Sequence, residues 1–369
     1  MESRIINEDW QILVSLFPAN WRELAKETKA LNRKLRSFED EESIMRTFFL
    51  HLANGYSLRE TVTRAKLSGL AKVTDVALLK RLRCSENWLK ALCLGLLRER
   101  GMIAPTTSEH SNVCLRLVDG TIVKEPGKTG RQWRIHYSIK LPDLQCDYFK
   151  LTQVKGEQAG ESYKQFPVKQ GDCIVGDRAY STMQGISYLE QHHAYSLVRI
   201  NSSSLNFYTN AQEAFNVLEK AVILQQAYQV GEWAVKLKKE NGDFVSGRLC
   251  AIRKSQRSAE IAIKKIIKEA NKRQRTVKPD TMEYAKYLII FTTLPVEKFS
   301  LNTVLEWYRL RWQIELAFKR LKSLVSLGHL PKYDEQSSRA WLYGKLFVGL
   351  LVEKLMGYAG SLSPCGYCL

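Results

Sequence analysis

Three carboxylates and one polar helix face are the residues of this chain that could do chemistry together. Asp119 closes the apolar run Val113-Cys-Leu-Arg-Leu-Val, Asp177 closes a second run, Cys173-Ile-Val-Gly, and Glu315 lies in the stretch Trp307 to Lys322, WYRLRWQIELAFKRLK. An acid beside a glycine after a short apolar run marks a buried strand reaching the edge of a sheet. At about 100° per residue, Tyr308, Arg311, Glu315 and Lys322 share an arc of about 60°, with Lys319 at its edge. Leu310, Ile314, Ala317, Leu321 and Leu324 fall on the opposite side, so the stretch reads as one amphipathic helix. Taken alone, its polar face is an ordinary solvated one, with spacing-four ion pairs worth a few tenths of a kcal/mol each.

The acids lie 58 and then 138 positions apart, so only a fold can join them. A sheet can bring two strand ends together, and a helix packed on it can deliver the third acid. Three carboxylates at one point repel strongly and need a cation. Hard oxygen donors that leave positions open for water suit Mg2+ or Mn2+. Two such ions about 4 Å apart would activate a water or sugar hydroxyl and hold the leaving oxygen, which is the chemistry of phosphodiester cleavage or transfer.

The elements that must position these residues follow from the pattern along the chain. Residues 1–105 read as helices, with turn signals at Pro18, Asn54-Gly55 and Ser68-Gly69. The pair Ser57 to Arg64 and Thr74 to Arg83, with Lys72, Lys80, Arg81 and Arg83 nearby, fits either a helix-turn-helix reader of DNA or a plain bundle with a basic surface. Pro105 to Asn112 is a polar linker. From Val113 the period changes, and strands are expected to Val118, from Trp133 to Leu141, from Asp147 to Val154, at Cys173 to Gly176 and from Tyr195 to Ile200, with a helix from Thr182 to His193. That order points to a mixed sheet covered by helices over residues 113–200.

Residues 201–285 break the pattern and read as an insertion. Between Arg253 and Lys278 there are ten Lys or Arg against two Glu, a local surplus that includes Lys272, Arg273 and Arg275 and suits contact with phosphate. Residues 286–369 return to the core through the strand Tyr287 to Thr293, the helix carrying Glu315, capped by Ser300 or Asn302, and a last helix from Asp334 to Gly357.

Composition sets the partner class. The chain has 369 residues, 45% of them hydrophobic, enough for a full core, and 56 Lys and Arg against 38 Asp and Glu give a net charge of +18. Such an imbalance suits a polyanion, nucleic acid first. No apolar run reaches spanning length without charges, and the start MESRIINEDW has no secretory pattern, so a cytoplasmic protein off the membrane is expected. Of eight cysteines only Cys365-x-x-Cys368 has metal-type spacing, and without a second pair it reads as free thiols.

The wording around the acids is itself distinctive. Leu117-Val118-Asp119-Gly120-Thr121, Val175-Gly176-Asp177-Arg178-Ala179-Tyr180 and Tyr308-x-x-Arg311-x-x-x-Glu315-x-x-x-x-x-x-Lys322 resemble the DDE transposases of the bacterial insertion-sequence family called IS-four. Phe17-Pro-Ala-Asn-Trp-Arg-Glu-Leu-Ala and Ala30-Leu-Asn-Arg resemble that family's N-terminal domain. The resemblance implies an α/β, ribonuclease-H-like mixed-sheet core with a largely β insertion, preceded by an all-helical N-terminal domain. It implies that Asp119, Asp177 and Glu315 are the catalytic metal ligands for two Mg2+ ions, with Mn2+ able to substitute, and that Tyr308, Arg311 and Lys322 hold DNA phosphates. Lys319, Arg178 and the basic segment would add to that surface, and Tyr287 or Trp312 could stack a displaced base. The implied partners are transposon-end inverted repeats and target DNA, bound by a homodimer at the nucleoid. A stand-alone nuclease on the same metal core, or a DNA-binding protein with a decayed core, are the alternatives.

Overall fold

Local chemistry sets where the helices begin. The computed structural model describes residues 2–31, 38–100, 113–127, 130–142, 144–155, 160–200, 205–328, 330–331 and 334–362; the linker at 105–112 and Cys365 and Cys368 lie outside them. Six helices come first: α1 (Glu2–Ser15), α2 (Trp21–Glu27), α3 (Glu41–Leu52), α4 (Leu58–Leu67), α5 (Asp75–Cys84) and α6 (Glu86–Arg100). Asp40 and Ser43 form a reciprocal capping box before α3, and Ser57 and Thr74 accept the backbone N–H of Glu60 and Ala77 at the starts of α4 and α5. Trp88 of α6 is fully buried, stacks on Trp21 and donates its Nε1–H to the Trp21 carbonyl at 2.9 Å. Two of the four cations near the expected helix-turn-helix are used inside the protein. Arg81 donates to the Ala30 carbonyl and Arg83 pairs with Asp334 at 2.6 Å, which leaves Lys72 and Lys80 exposed.

The strands follow as β1 (Cys114–Lys124), β2 (Gln132–Lys140), β3 (Gln145–Gln153), β4 (Asp172–Gly176), then α7 (Met183–Gln191) and β5 (Tyr195–Arg199). β1, β2 and β3 pair as an antiparallel meander, and β4 and β5 add in parallel to β1. This is the ribonuclease-H-like mixed sheet expected.

The segment read as an insertion supplies β6 (Phe207–Tyr208), β7 (Ala214–Phe215), α8 (Val217–Ala221), β8 (Val230–Lys238), β9 (Phe244–Arg253), α9 (Gln256–Lys272) and α10 (Pro279–Tyr284). Its strands join the core sheet. β10 (Tyr287–Thr292) pairs with β5 on one side and with β9 on the other, giving one ten-stranded sheet of order β3-β2-β1-β4-β5-β10-β9-β8-β6-β7. The chain ends in α11 (Leu301–Arg309), α12 (Trp312–Leu324) and α13 (Glu335–Leu362), and Ser300 is the cap of α11.

Alternation along the strands builds a core on each side of the sheet. Leu117, Val175, Leu197 and Ile290 face the N-terminal helices, α12 and α13, whereas Val118, Ile174, Val198 and Phe291 face α7 and the added strands. No helix among the described residues is long and apolar enough to cross a membrane.

Candidate functional site

The parallel pairing of β1 with β4 brings the first two acids together. Its register runs to Leu117↔Val175, so two residues further on Asp119 and Asp177 stand level, on the face of the sheet that Leu117 and Val175 share. Asp119 was expected at the end of its strand. It lies within β1, which continues to Lys124 against β2, but just beyond the last β1–β4 pair. Gly176, before the second acid, is packed so closely that a Cβ would stand 2.7 Å from the Tyr163 hydroxyl and 2.9 Å from Tyr180 Cβ.

Each acid spends one oxygen on the backbone. Asp119 Oδ1 accepts the Gly120 N–H at 2.7 Å, and Asp177 Oδ1 accepts the Ala179 N–H at 2.8 Å, capping the short turn Arg178–Tyr180. Among the described residues both Oδ2 atoms are without hydrogen bonds or ion pairs. Burial, with the charges of Asp177 and Glu161, lifts the Asp119 carboxyl from 3.8 to about 7, against the Gly120 hydrogen bond and the Arg311 charge. Half-buried acids close together, each with an open oxygen, fit a divalent cation.

The third acid arrives differently from the expectation. The stretch read as one helix is two, α11 and α12, with Leu310 and Arg311 between them. There the backbone closes three-residue turns, Arg311 N–H to the Tyr308 carbonyl, Gln313 N–H to Leu310 and Ile314 N–H to Arg311, at 2.9 to 3.2 Å. Tighter turns change the phase between Tyr308 and Glu315. Tyr308 is consequently buried instead of lying on the solvated face, and Leu324, expected in the core, is exposed. Burial raises the Tyr308 hydroxyl pKa against the pull of Arg311 and Arg199, with Asp177 close enough to add to the rise.

α12 crosses the sheet over Asp119. Phe318 packs its ring 5.7 Å from that of Tyr137, the β2 partner of Asp119. One turn earlier, Glu315 accepts a short hydrogen bond from Arg311, and Arg311 also feels the Asp119 charge. Among the described residues no three His, Cys, Asp or Glu side chains are gathered closely enough to grip one ion. Arg311 instead supplies the positive charge beside the acids and holds Glu315, whose side chain is half exposed.

The other expected residues lie as follows. Lys319 and Lys322 are exposed on α12 and, among the described residues, make no ion pair. Arg178 is exposed directly after Asp177. Lys272, Arg273 and Arg275 are exposed at and beyond the end of α9, Arg273 pairing with Glu269 at 2.9 Å. No hydrogen bond or ion pair joins them to the acids among the described residues. Tyr287 is core, its hydroxyl accepting from Arg253 at 3.0 Å, which removes it as a stacking platform, whereas Trp312 is half exposed.

Three residues missed in the sequence join this site. Glu161 stands against Gly120, where a Cβ would lie 3.1 Å from its Oε1, and faces Arg134 at 3.7 Å. Burial raises its pKa, Arg134 opposes the rise and Asp177 adds to it. Arg199 ends β5, level with Asp177 by the Gly176↔Val198 register, and burial and then Arg178 lower its pKa. Lys254, lowered to about 8 by burial, Arg199 and Arg178, donates to the Ala285 carbonyl at 2.6 Å. A charge ending an apolar strand could have flagged Arg199; Glu161 lies in a polar loop that carries no period.

A family model described as "Transposase DDE domain" matches residues 156–351. The chain is 31% identical over 337 residues to the transposase InsL of insertion sequence element IS186A from Escherichia coli K12, spanning 90% of this chain and 89% of that protein. It is 31% identical over 338 residues to the transposase of IS421 from Escherichia coli, with the same shares covered, 90% and 89%. Against the transposase of IS231F from Bacillus thuringiensis subsp. israelensis it is 26% identical over 203 residues, 51% of this chain and 42% of that one. Acids on two adjoining strands beside a helix bearing Glu315, on a ribonuclease-H-like sheet, in a chain with these relatives, place the protein in one family: it belongs to the DDE transposases of bacterial insertion sequences, of the IS-four type.

Proposed function

We propose that Asp119, Asp177 and Glu315 form the catalytic centre and hold two Mg2+ ions, with Mn2+ able to substitute, and that the substrate is the terminal inverted repeat of the protein's own element. Family membership makes the protein a DNA-cleaving and DNA-joining enzyme that depends on a divalent metal. The observation that supports this assignment of residues is the level placement of Asp119 and Asp177 at adjoining strands beneath the helix that carries Glu315.

Bound ions would supply Lewis acidity and an activated oxygen nucleophile. The chain's part is positioning. Asp119 and Asp177 present their open Oδ2 atoms, and Glu315 completes the set when Arg311 exchanges its carboxylate for a DNA phosphate. Arg311, Lys319 and Lys322 on one side and Arg178 and Arg199 on the other form a cationic rim that orients the scissile strand, and Tyr308 braces Arg311 from below. The Lys272, Arg273 and Arg275 segment follows the backbone farther out. A homodimer would pair two transposon ends, and the protein would work in the cytoplasm at the nucleoid.

The test is strand cleavage of end-labelled terminal-repeat DNA in Mg2+ by Asp119→Asn, Asp177→Asn and Glu315→Gln, with binding measured in parallel. All three should lose cleavage and keep binding. Cleavage at the normal rate by any one of them would remove that residue from the centre.

A further inference from the structure

Lys345 stands where a lysine is costly. It lies in α13 between Trp341 and Leu351, among the most apolar residues of that helix, and is 1% exposed. Among the described residues no hydrogen bond or ion pair reaches its ammonium, which has only the face of Trp341 with the ring centroid 5.1 Å away. Burial pushes its pKa down to about 8, with no neighbouring charge contributing. Other buried cations are compensated: Arg116 pairs with Asp147 at 2.7 Å and Asp172 at 3.0 Å, and Arg248 pairs with Glu232 and donates to the Leu294 and Phe299 carbonyls. A methionine would fill the same space at less cost, so the ammonium at 345 works against stability.

What lies beside it is a cavity. About 660 Å3 opens between the α3–α4 turn, the start of α5 and α13, with Lys345 and Trp341 on one wall and His51 and Tyr56 on another. That size falls within the range of small-ligand sites, about 300–1,000 Å3. Ser57, the cap of the ten-residue helix α4, and Arg59 are also in the lining, so the positive end of a helix faces the same space as the ammonium. The acid of the lining, Asp75, is paired with Arg59 at 3.6 Å. An ammonium and a helix start suit a phosphate.

We propose that this cavity, at the seam between the N-terminal helices and α13, is a binding site for a phosphate group, that of a nucleotide or a DNA strand, held on Lys345. It shares no residue with the acid site and is independent of the assignment made there. The nucleotide comes either from a DNA strand or from the free pool.

The test is calorimetric titration of the full-length protein with thymidine 5′-monophosphate, a short oligothymidylate and inorganic phosphate, for wild type and Lys345→Met. Thymidine monophosphate should bind wild type, and Lys345→Met should weaken it roughly tenfold or more, the scale of one charge-assisted hydrogen bond, while raising the melting temperature. Asp119→Asn should leave the binding unchanged. An oligothymidylate that displaces the mononucleotide, with the same dependence on Lys345, identifies a DNA strand as the source; failure to displace it identifies the free nucleotide. No binding by either, equal affinity in Lys345→Met, or inorganic phosphate binding as tightly as the nucleotide would overturn the proposal. So would a variant that melts lower or fails to fold, because Lys345 would then serve stability.

Discussion

Replacing Asp119 with asparagine should stabilise the metal-free protein near and above neutral pH. Burial, with Asp177 and Glu161 nearby, raises this carboxyl from 3.8 to about 7 in the folded chain. Between those two values the native state binds more protons than the unfolded state, so stability falls as pH rises through the window. A shift of about three units at ~1.4 kcal/mol each sets the largest loss at about 4 kcal/mol, a sizeable part of a total stability of about 5–15 kcal/mol. Asparagine does not titrate and removes that loss. Urea denaturation with EDTA, repeated between pH 4 and pH 8, should show the wild-type protein weakening as pH rises and Asp119→Asn weakening less, with the gap widest above pH 7. Mg2+ or Mn2+ at pH 8 should restore the wild type and leave the variant unmoved, because an ion that binds only the native site stabilises by mass action. Parallel pH profiles, or a variant less stable than wild type at pH 8, would refute the view that Asp119 is held as an ion against burial and neighbouring acids.

Three further outcomes follow from the geometry. Arg311→Ala should weaken binding to terminal-repeat DNA and lower the magnitude of its log–log salt slope by about one, the mark of one lost phosphate contact, measured by filter binding across a salt series. Glu161→Gln should reduce Mn2+ affinity by about ten- to a hundredfold, read by electron paramagnetic resonance without DNA, if Glu161 supports the acids from beside Gly120. Trp88→Ala should cost about 3–5 kcal/mol in denaturant unfolding, since it empties a buried indole site and removes the hydrogen bond to the Trp21 carbonyl.

Much of this architecture was legible because apolar runs ending in acids have few other meanings. Asp119 and Asp177 come together by the strand logic that first singled them out, and Ser300 caps the helix pair that leads to Glu315. The end of β1 was misread because Thr121-Ile-Val-Lys resumes an alternation whose partner, β2, comes only later in the chain. The break at Leu310 and Arg311 carries no proline or glycine, so a uniform 100° step hid the burial of Tyr308. Joining of the inserted strands to the core sheet depends on β10, which pairs on both edges, and partners 34 to 95 residues away in the chain leave no local trace. Glu161 was invisible for a related reason: only the folded chain brings a carboxylate from the loop between β3 and β4 against Gly120.

The claim on which the account rests is that Glu315 joins Asp119 and Asp177 around divalent ions once DNA engages Arg311. Anomalous diffraction from a Mn2+ complex with terminal-repeat DNA measures this directly. Two metal peaks in contact with Asp119, Asp177 and Glu315 are expected, with Arg311 turned onto a phosphate. Metal bound elsewhere, or Glu315 still held by Arg311 with both ions in place, would contradict that claim.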